Sequence, residues 1–187
     1  MGSQSVTLSF RAATSEDIPA LLPLIKRAYR GGASRAGWTT EADLVDDDRI
    51  DAAGLLTKIS EPTGAVLVAT DSTSSGSFVA CCEVLHQPGT KAAYFGLFAV
   101  DPLLQGGGIG KAVLAHAEGY ARSKWGVDRM EMTVIWTRSE LIAWYGRRGY
   151  RKTGERREFP YEHLVNGKAL RDDLWFEVLE KDLVAEA

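Results

Sequence analysis

The chain has little cysteine, no excess of basic charge and no long apolar run. Only two of its 187 residues are cysteine, the neighbours Cys81 and Cys82. A bond between adjacent residues closes a strained ring and joins no distant segments, so both thiols are expected to be reduced. Lys and Arg number 22 against 25 Asp and Glu, a net charge of −3. That balance lacks the basic footprint of a nucleic-acid binder, and no nucleic-acid partner is expected. No apolar stretch approaches the roughly 18 residues of a membrane span, so no membrane association is expected. The opening MGSQSVTLSF has no charged segment leading into an apolar one, and the expected location is cytoplasmic.

What remains is the composition of a folded domain, with 45% hydrophobic and 25% charged residues. The length suits a single domain over 1–187, with 1–5 as a flexible tail. Val6–Phe10 alternates like a short strand. Thr14-Ser-Glu-Asp17 reads as a helix start, followed by Ile18, Leu21, Leu22, Ile25 and Tyr29 at helical spacing. Pro23 is expected to kink that helix or move its start, and Gly31-Gly32 to stop it. Thr40 with Asp43 predicts a second helix carrying Leu44, Ile50, Leu55 and Leu56, with Asp46–Asp48 as its solvated face. Ala65–Ala69, Phe78–Leu85 and Ala92–Val100 are three strands joined by short turns, the first turn being the flexible 71–76. A helix from about Gly108 to Ser123, a strand Met130–Ile135 and a helix Ser139–Arg147 follow. A loop around Phe159-Pro160 and a final strand Leu174–Leu179 close the chain. Two strands separated by a helix should lie parallel.

The most informative stretch is Leu97–Lys111, in which Gly106, Gly107, Gly108 and Gly110 lie between a strand and a helix. Glycines let backbone approach a ligand closely, and the free N–H groups of a helix's first turn favour an anion. A phosphate or pyrophosphate is the expected ligand. Two familiar phosphate loops fail by spacing. Gly110-Lys111 has Gln105 where a Walker loop needs its first glycine, and Ala112 where it needs a hydroxyl. A dinucleotide fingerprint begun at Gly106 or Gly108 ends on Lys111 or Val113.

Gln105-Gly-Gly-Gly108-Ile-Gly110 resembles the acetyl-CoA signature of the GNAT N-acetyltransferases, Gln/Arg-x-x-Gly-x-Gly/Ala. The preceding Phe98-Ala-Val-Asp-Pro102 is similar to the family's fourth strand and its bend. Leu141-Ile-Ala-Trp-Tyr-Gly-Arg-Arg-Gly-Tyr150 resembles its Ala-x-x-Tyr-x-x-x-Gly-Phe/Tyr helix and turn. The resemblance implies an α/β fold with a mixed, mostly antiparallel sheet of about six to seven strands, flanked by helices, and a splayed parallel strand pair. It implies an acetyl-CoA-dependent N-acetyltransferase acting by direct transfer in a ternary complex, with acetyl-CoA as co-substrate and no metal. A non-catalytic acyl-CoA-binding sensor or interaction module of the same fold is the alternative.

By the same resemblance the cofactor would meet Phe98, Ala99, Val100, Gln105, Gly106, Gly107, Gly108, Ile109, Gly110, Lys111 and Arg138. Arg138 stands where many relatives carry Asn, and a fork reaching a cofactor phosphate or a substrate carboxylate, or a cap at the strand end, would each suit it. Tyr145 falls on the family tyrosine beside the thioester sulfur, as general acid. Tyr94 stands near the position of a glutamate base in many relatives. Glu83, on the strand face of Val79, Cys81 and Leu85, is the acidic alternative, with His86 or a water chain as others. Trp38, Tyr94, Phe159 and Tyr161, with Glu41, Asp43 and Asp46, would shape an acceptor site, and acidic and aromatic groups would suit a cationic amine. The expected partner is a small-molecule or peptide amine, and the expected state a monomer or homodimer.

Overall fold

Eight- to ten-residue runs of Val, Ala, Leu, Phe and Cys, bounded by Gly, Pro and Asp turns, form the middle of one sheet. The computed structural model describes residues 7–72 and 76–183. In chain order it contains β1 (Leu8–Ala12), α1 (Ile18–Tyr29), α2 (Gly31–Ser34), β2 (Val45–Asp46), α3 (Ala52–Ile59) and β3 (Gly64–Asp71). There follow β4 (Phe78–Gln87), β5 (Ala92–Val100), α4 (Ile109–Trp125), β6 (Arg129–Ile135), α5 (Ser139–Gly146), β7 (Arg151–Glu158), β8 (Lys168–Ala169) and β9 (Trp175–Asp182). Seven strands form a sheet in the order β1-β3-β4-β5-β6-β9-β7, and β2 pairs with β8 separately. Every neighbouring pair is antiparallel except β5 and β6. The predicted 1–5 tail, Val6 of the first strand and part of the 71–76 turn lie outside the described residues.

The sheet has a core on each face. One packs Val79, Cys82, Phe95 and Met132 with Val113, Leu114 and Ala117 of α4 and Leu141 and Tyr145 of α5. The other packs Val66, Val68, Cys81 and Leu97 with Leu21, Leu24 and Ile25 of α1 and Leu55 of α3. The adjacent cysteines point to opposite cores, are free and buried, and burial pushes the Cys81 thiol up to about 12. A thiolate is the reactive form, so this sulfur acts as a small hydrophobe. Among the described residues no helix is long and apolar enough to cross a membrane.

Two features of β5 position the site. It pairs with β6 only through Ala92–Tyr94 opposite Arg129–Glu131, after which the strands diverge. From Phe95 to Val100 the side of β5 facing β6 therefore has no strand partner. The second feature is a bulge. Cys81 lies opposite Ala99 but Glu83 opposite Gly96, so β5 carries one extra residue there. Leu97 takes φ +45 within it and points into the α1 core, while Phe98 turns to the α4 side.

Several expectations are corrected. The chain from Thr40 to Arg49 is not helical. The helix carrying Leu55 and Leu56, α3, begins only at Ala52, capped by Asp51, whose Oδ1 accepts from Gly54 N at 2.7 Å. Asp46–Asp48 is not a solvated helix face: Asp47 is buried against Arg30, Asp48 pairs with Lys26 at 2.5 Å, and Asp46 stays exposed on β2. Pro23 does not move the start of α1, which runs through it from Ile18; Pro19 occupies the tolerant first turn. β7 and the β2–β8 pair were not anticipated.

The β2–β8 pair holds Asp47 in place. A Cβ at Gly167 would overlap Asp46 O and lie 2.5 Å from Asp47 Cα. Gly167→Ala should therefore cost about 1–3 kcal/mol, as overpacking does, measured by denaturant midpoint at unchanged slope.

Candidate functional site

A cavity of about 640 Å³ opens where β5 and β6 part, and α4, α5 and the 38–49 segment close its other sides. On the α4 side it is lined by Phe98, Val100, Gln105, Gly106, Gly108, Gly110 and Lys111. Gly106 and Gly108 hold φ of +90 and +83, left-handed conformations that side-chain-bearing residues resist. Gly108 is the N-cap of the 17-residue α4, so the N–H groups of Ile109, Gly110 and Lys111 have no helical partner. A Cβ on Gly110 would sit 3.4 Å from Phe98 and 3.5 Å from Trp144, so a larger side chain would fill the groove. Gln105 braces this turn: Nε2 donates to Val100 O at 3.3 Å and Oε1 accepts from Trp38 N at 3.0 Å. These residues fit a diphosphate at the helix start with an amide-bearing arm along β5.

Tyr145, on α5, lines the same cavity and packs edge-on against Trp144 and Tyr150. Burial pushes its phenol well above the ordinary value of 10, so the hydroxyl stays protonated across the neutral and mildly alkaline range. Its position fits a proton donor and not a base.

The opposite wall is a network of charge. Glu41 Oε2 accepts from Arg30 Nη1 at 2.6 Å and Oε1 from Arg138 Nη1 at 2.5 Å, and Arg138 Nη2 donates to Thr39 at 3.0 Å. Arg30 Nε donates to Asp47 Oδ1 at 2.5 Å, and Asp47 Oδ2 accepts from Val165 N at 3.2 Å. Burial raises the Glu41 carboxyl, but Arg138, Arg30 and Arg49 outweigh it and hold the group below its ordinary 4.5. A depressed folded value means this contribution is present above the ordinary carboxylate range and is lost as pH falls below it. Tyr94 crosses the floor, its hydroxyl 2.9 Å from Thr133 Oγ1 of β6.

Most expected residues meet in this one cavity, with seven exceptions or changes of role. Ala99 turns into the α1 core and Ile109 into the α4 core, so only their backbone faces a ligand. Gly107 is exposed and does not line the cavity. Arg138 lines it with Nη1 and Nη2 bonded to Glu41 and Thr39. Tyr161 lies outside, its hydroxyl accepting from Leu174 N at 2.6 Å, so it pins the chain before β9. Glu83 does not itself line the cavity: it is only 7% exposed, both its oxygens accept from Lys58 Nζ at 2.9 and 2.7 Å, and its Oε2 lies behind Gly96 of the cavity wall. His86 stacks on Trp125, also outside. The sequence reading missed Tyr29, Arg30, Asp47, Arg49 and His163, all of which line the cavity. Among the described residues no group of three or more His, Cys, Asp or Glu could hold a metal.

Comparison with known proteins agrees with this geometry. The family model described as "Acetyltransferase (GNAT) family" matches residues 20–150. The chain is 32% identical over 152 residues to a mycothiol acetyltransferase of Salinispora arenicola, covering 79% of this chain and 45% of that protein. A mycothiol acetyltransferase of Salinispora tropica is 30% identical over 150 residues, covering 78% and 44%. The chain thus spans less than half the length of these curated relatives. Among solved structures, the ribosomal-protein-S18-alanine N-acetyltransferase of Escherichia coli superposes with a TM-score of 0.68 at 15% identity, covering 97% of each chain. Spermidine N-acetyltransferase of Vibrio cholerae, solved with CoA and spermine, gives 0.66 at 15% identity, covering 94% of this chain and 95% of that one. With a glycine-capped helix, a splayed strand pair and a phenol around one cavity, and a family model matching most of its length, the chain belongs to the GNAT acetyltransferase family.

Proposed function

We propose that the protein transfers an acetyl group from acetyl-CoA directly to an amine, with both bound together in this cavity. One observation carries the reading: the unpartnered N–H groups at the start of α4, the open edge of β5 and Tyr145 all face one space. When bound, acetyl-CoA supplies the acetyl group already activated as a thioester. The α4 N-terminus binds the diphosphate through main-chain amides and the helix dipole. The peptide groups on the open edge of β5 orient the arm, which fixes the attack geometry. Tyr145 gives its proton to the sulfur as the carbon–sulfur bond breaks, and the incoming amine nitrogen forms the new bond to carbon. The amine must shed a proton first. Glu83 and His86 do not line the cavity, so we assign that proton to water.

Thiol release from acetyl-CoA, followed across a panel of amines, tests the reading. Amine-dependent release with a mass gain of one acetyl group is expected. Tight CoA binding with no release for any amine would favour the sensor module instead. We also propose a cytoplasmic location.

A further inference from the structure

Neither the acids expected to receive a cationic amine nor Asp47 beside them is free to do so. Both oxygens of Glu41 are taken by Arg30 and Arg138, and both oxygens of Asp47 by Arg30 Nε and the peptide N–H groups of Arg49 and Val165. Asp43 pairs with Arg35 at 2.6 Å and Asp46 is exposed on β2, and neither lines the cavity. The wall therefore carries three guanidinium groups, Arg30, Arg49 and Arg138, against two carboxylates.

Arg49 is the cation left over. Its guanidinium carbon lies 4.8 Å from the centre of the Tyr29 ring, and among the described residues it forms no ion pair with a carboxylate. Its backbone is held at φ +65, a left-handed conformation costly for arginine, by the bond from its N–H to Asp47 Oδ1 at 3.0 Å. Strain of this kind persists where the surroundings over-determine it, and it collects at ligand-binding positions. The Asp47 that fixes the Arg49 backbone is itself fixed by Arg30 and by the β2–β8 pair. The wall therefore keeps one net positive charge at Arg49, which leans on the Tyr29 hydroxyl and on the already shared Glu41 but has no carboxylate in ion-pair contact among the described residues, and its planar fork suits a carboxylate brought in from solvent.

Building on the acetyl-transfer reading, we propose that the acceptor is an amine that also bears a carboxylate, such as an α-amino acid or a peptide terminus beside an acidic group, and that Arg49 binds that carboxylate. Arg49 is then a specificity-determining residue and not a catalytic one. Polyamines, whose only charges are positive, meet a wall with an excess positive charge and are poor acceptors.

The experiment pairs each amino acid with its own amide and adds spermidine, measuring kcat/KM by thiol release with the full chain. The acid is expected to exceed its amide by about tenfold or more, the scale of one charge-assisted hydrogen bond. Arg49→Gln should bring the acid-to-amide ratio to near one, and Arg49→Lys should keep part of it, with folding of each checked by circular dichroism. A wild-type ratio of one or less, or a preference for spermidine, overturns the proposal without any variant. A binding arm separates this proposal from the activity beneath it. An N-acetyl amino acid and its amide are titrated into CoA-bound protein. Arg49-dependent preference for the acid without turnover keeps the anion site and sinks acetyl transfer to these amines. Equal binding of the two sinks the anion site whatever the turnover.

Discussion

Tyr145→Phe is expected to lower kcat by about a hundredfold while leaving acetyl-CoA affinity unchanged, the range a positioned general acid contributes. The substitution removes one oxygen and keeps the ring that packs against Trp144 and Tyr150, so stability should hold. Burial raises the phenol above its ordinary 10, so the hydroxyl remains a donor throughout the range in which an amine gains its lone pair. Activity should therefore climb with pH to an alkaline plateau in the wild type, with no falling limb from Tyr145 near pH 10. Pre-steady-state rates of the variant across pH check both points. Glu83→Gln is the contrast: it breaks the ion pair with Lys58, so its effect should fall on stability and not on kcat. A loss of kcat in Glu83→Gln equal to that in Tyr145→Phe would return the carboxylate to the reaction.

Gly108→Val carries the second large effect, on binding. A Cβ there meets nothing within 4 Å, so the change acts through the backbone alone. Left-handed φ costs a side-chain-bearing residue about 1–2 kcal/mol, and a β-branched residue at φ +83 relieves that cost by rotating the peptide away. The N–H groups of Ile109 and Gly110 then lose their common aim. Calorimetry should show CoA binding weakened about ten- to a hundredfold, the worth of one charge-assisted hydrogen bond. Gly119→Ala, mid-helix in α4 with nothing within 4 Å of its Cβ, is the control. It should leave CoA affinity alone and raise stability by about 0.5–1 kcal/mol. Equal affinity in Gly108→Val and the wild type would mean that the diphosphate sits elsewhere.

Parts of this architecture were legible in the residues. Ala92–Val100 is a strand by its run of apolar and aromatic residues, and its observed limits are the expected ones. The glycine turn, α4 and α5 were legible because caps and left-handed glycines are local signals. The segment Thr40–Arg49 was not, because what shapes it is remote. Glu41 and Asp47 are drawn to Arg30 and Arg138, and the register of β2 comes from β8. No helical pattern survives when the acids of a segment are bonded to cations 11 to 97 residues away. β7 was hidden for another reason. Arg151–Glu158 is an edge strand, almost wholly exposed and charged, with no apolar alternation to show it. Glu83 was read as a charge on a core face that required a purpose; the purpose is Lys58 of α3, invisible until the helix is placed. The bulge at Leu97 has no local signature, yet it turns Phe98 toward the cavity.

The most direct measurement follows the backbone amide resonances of Gly106–Lys111 in ¹⁵N-labelled protein as CoA is added, with pantetheine, which lacks the diphosphate, as the comparison. CoA should shift the amides of Ile109, Gly110 and Lys111 strongly, and pantetheine should leave them in place while shifting those of β5 from Phe98 to Val100. Unmoved amides at the start of α4 in CoA-saturated protein would contradict the account.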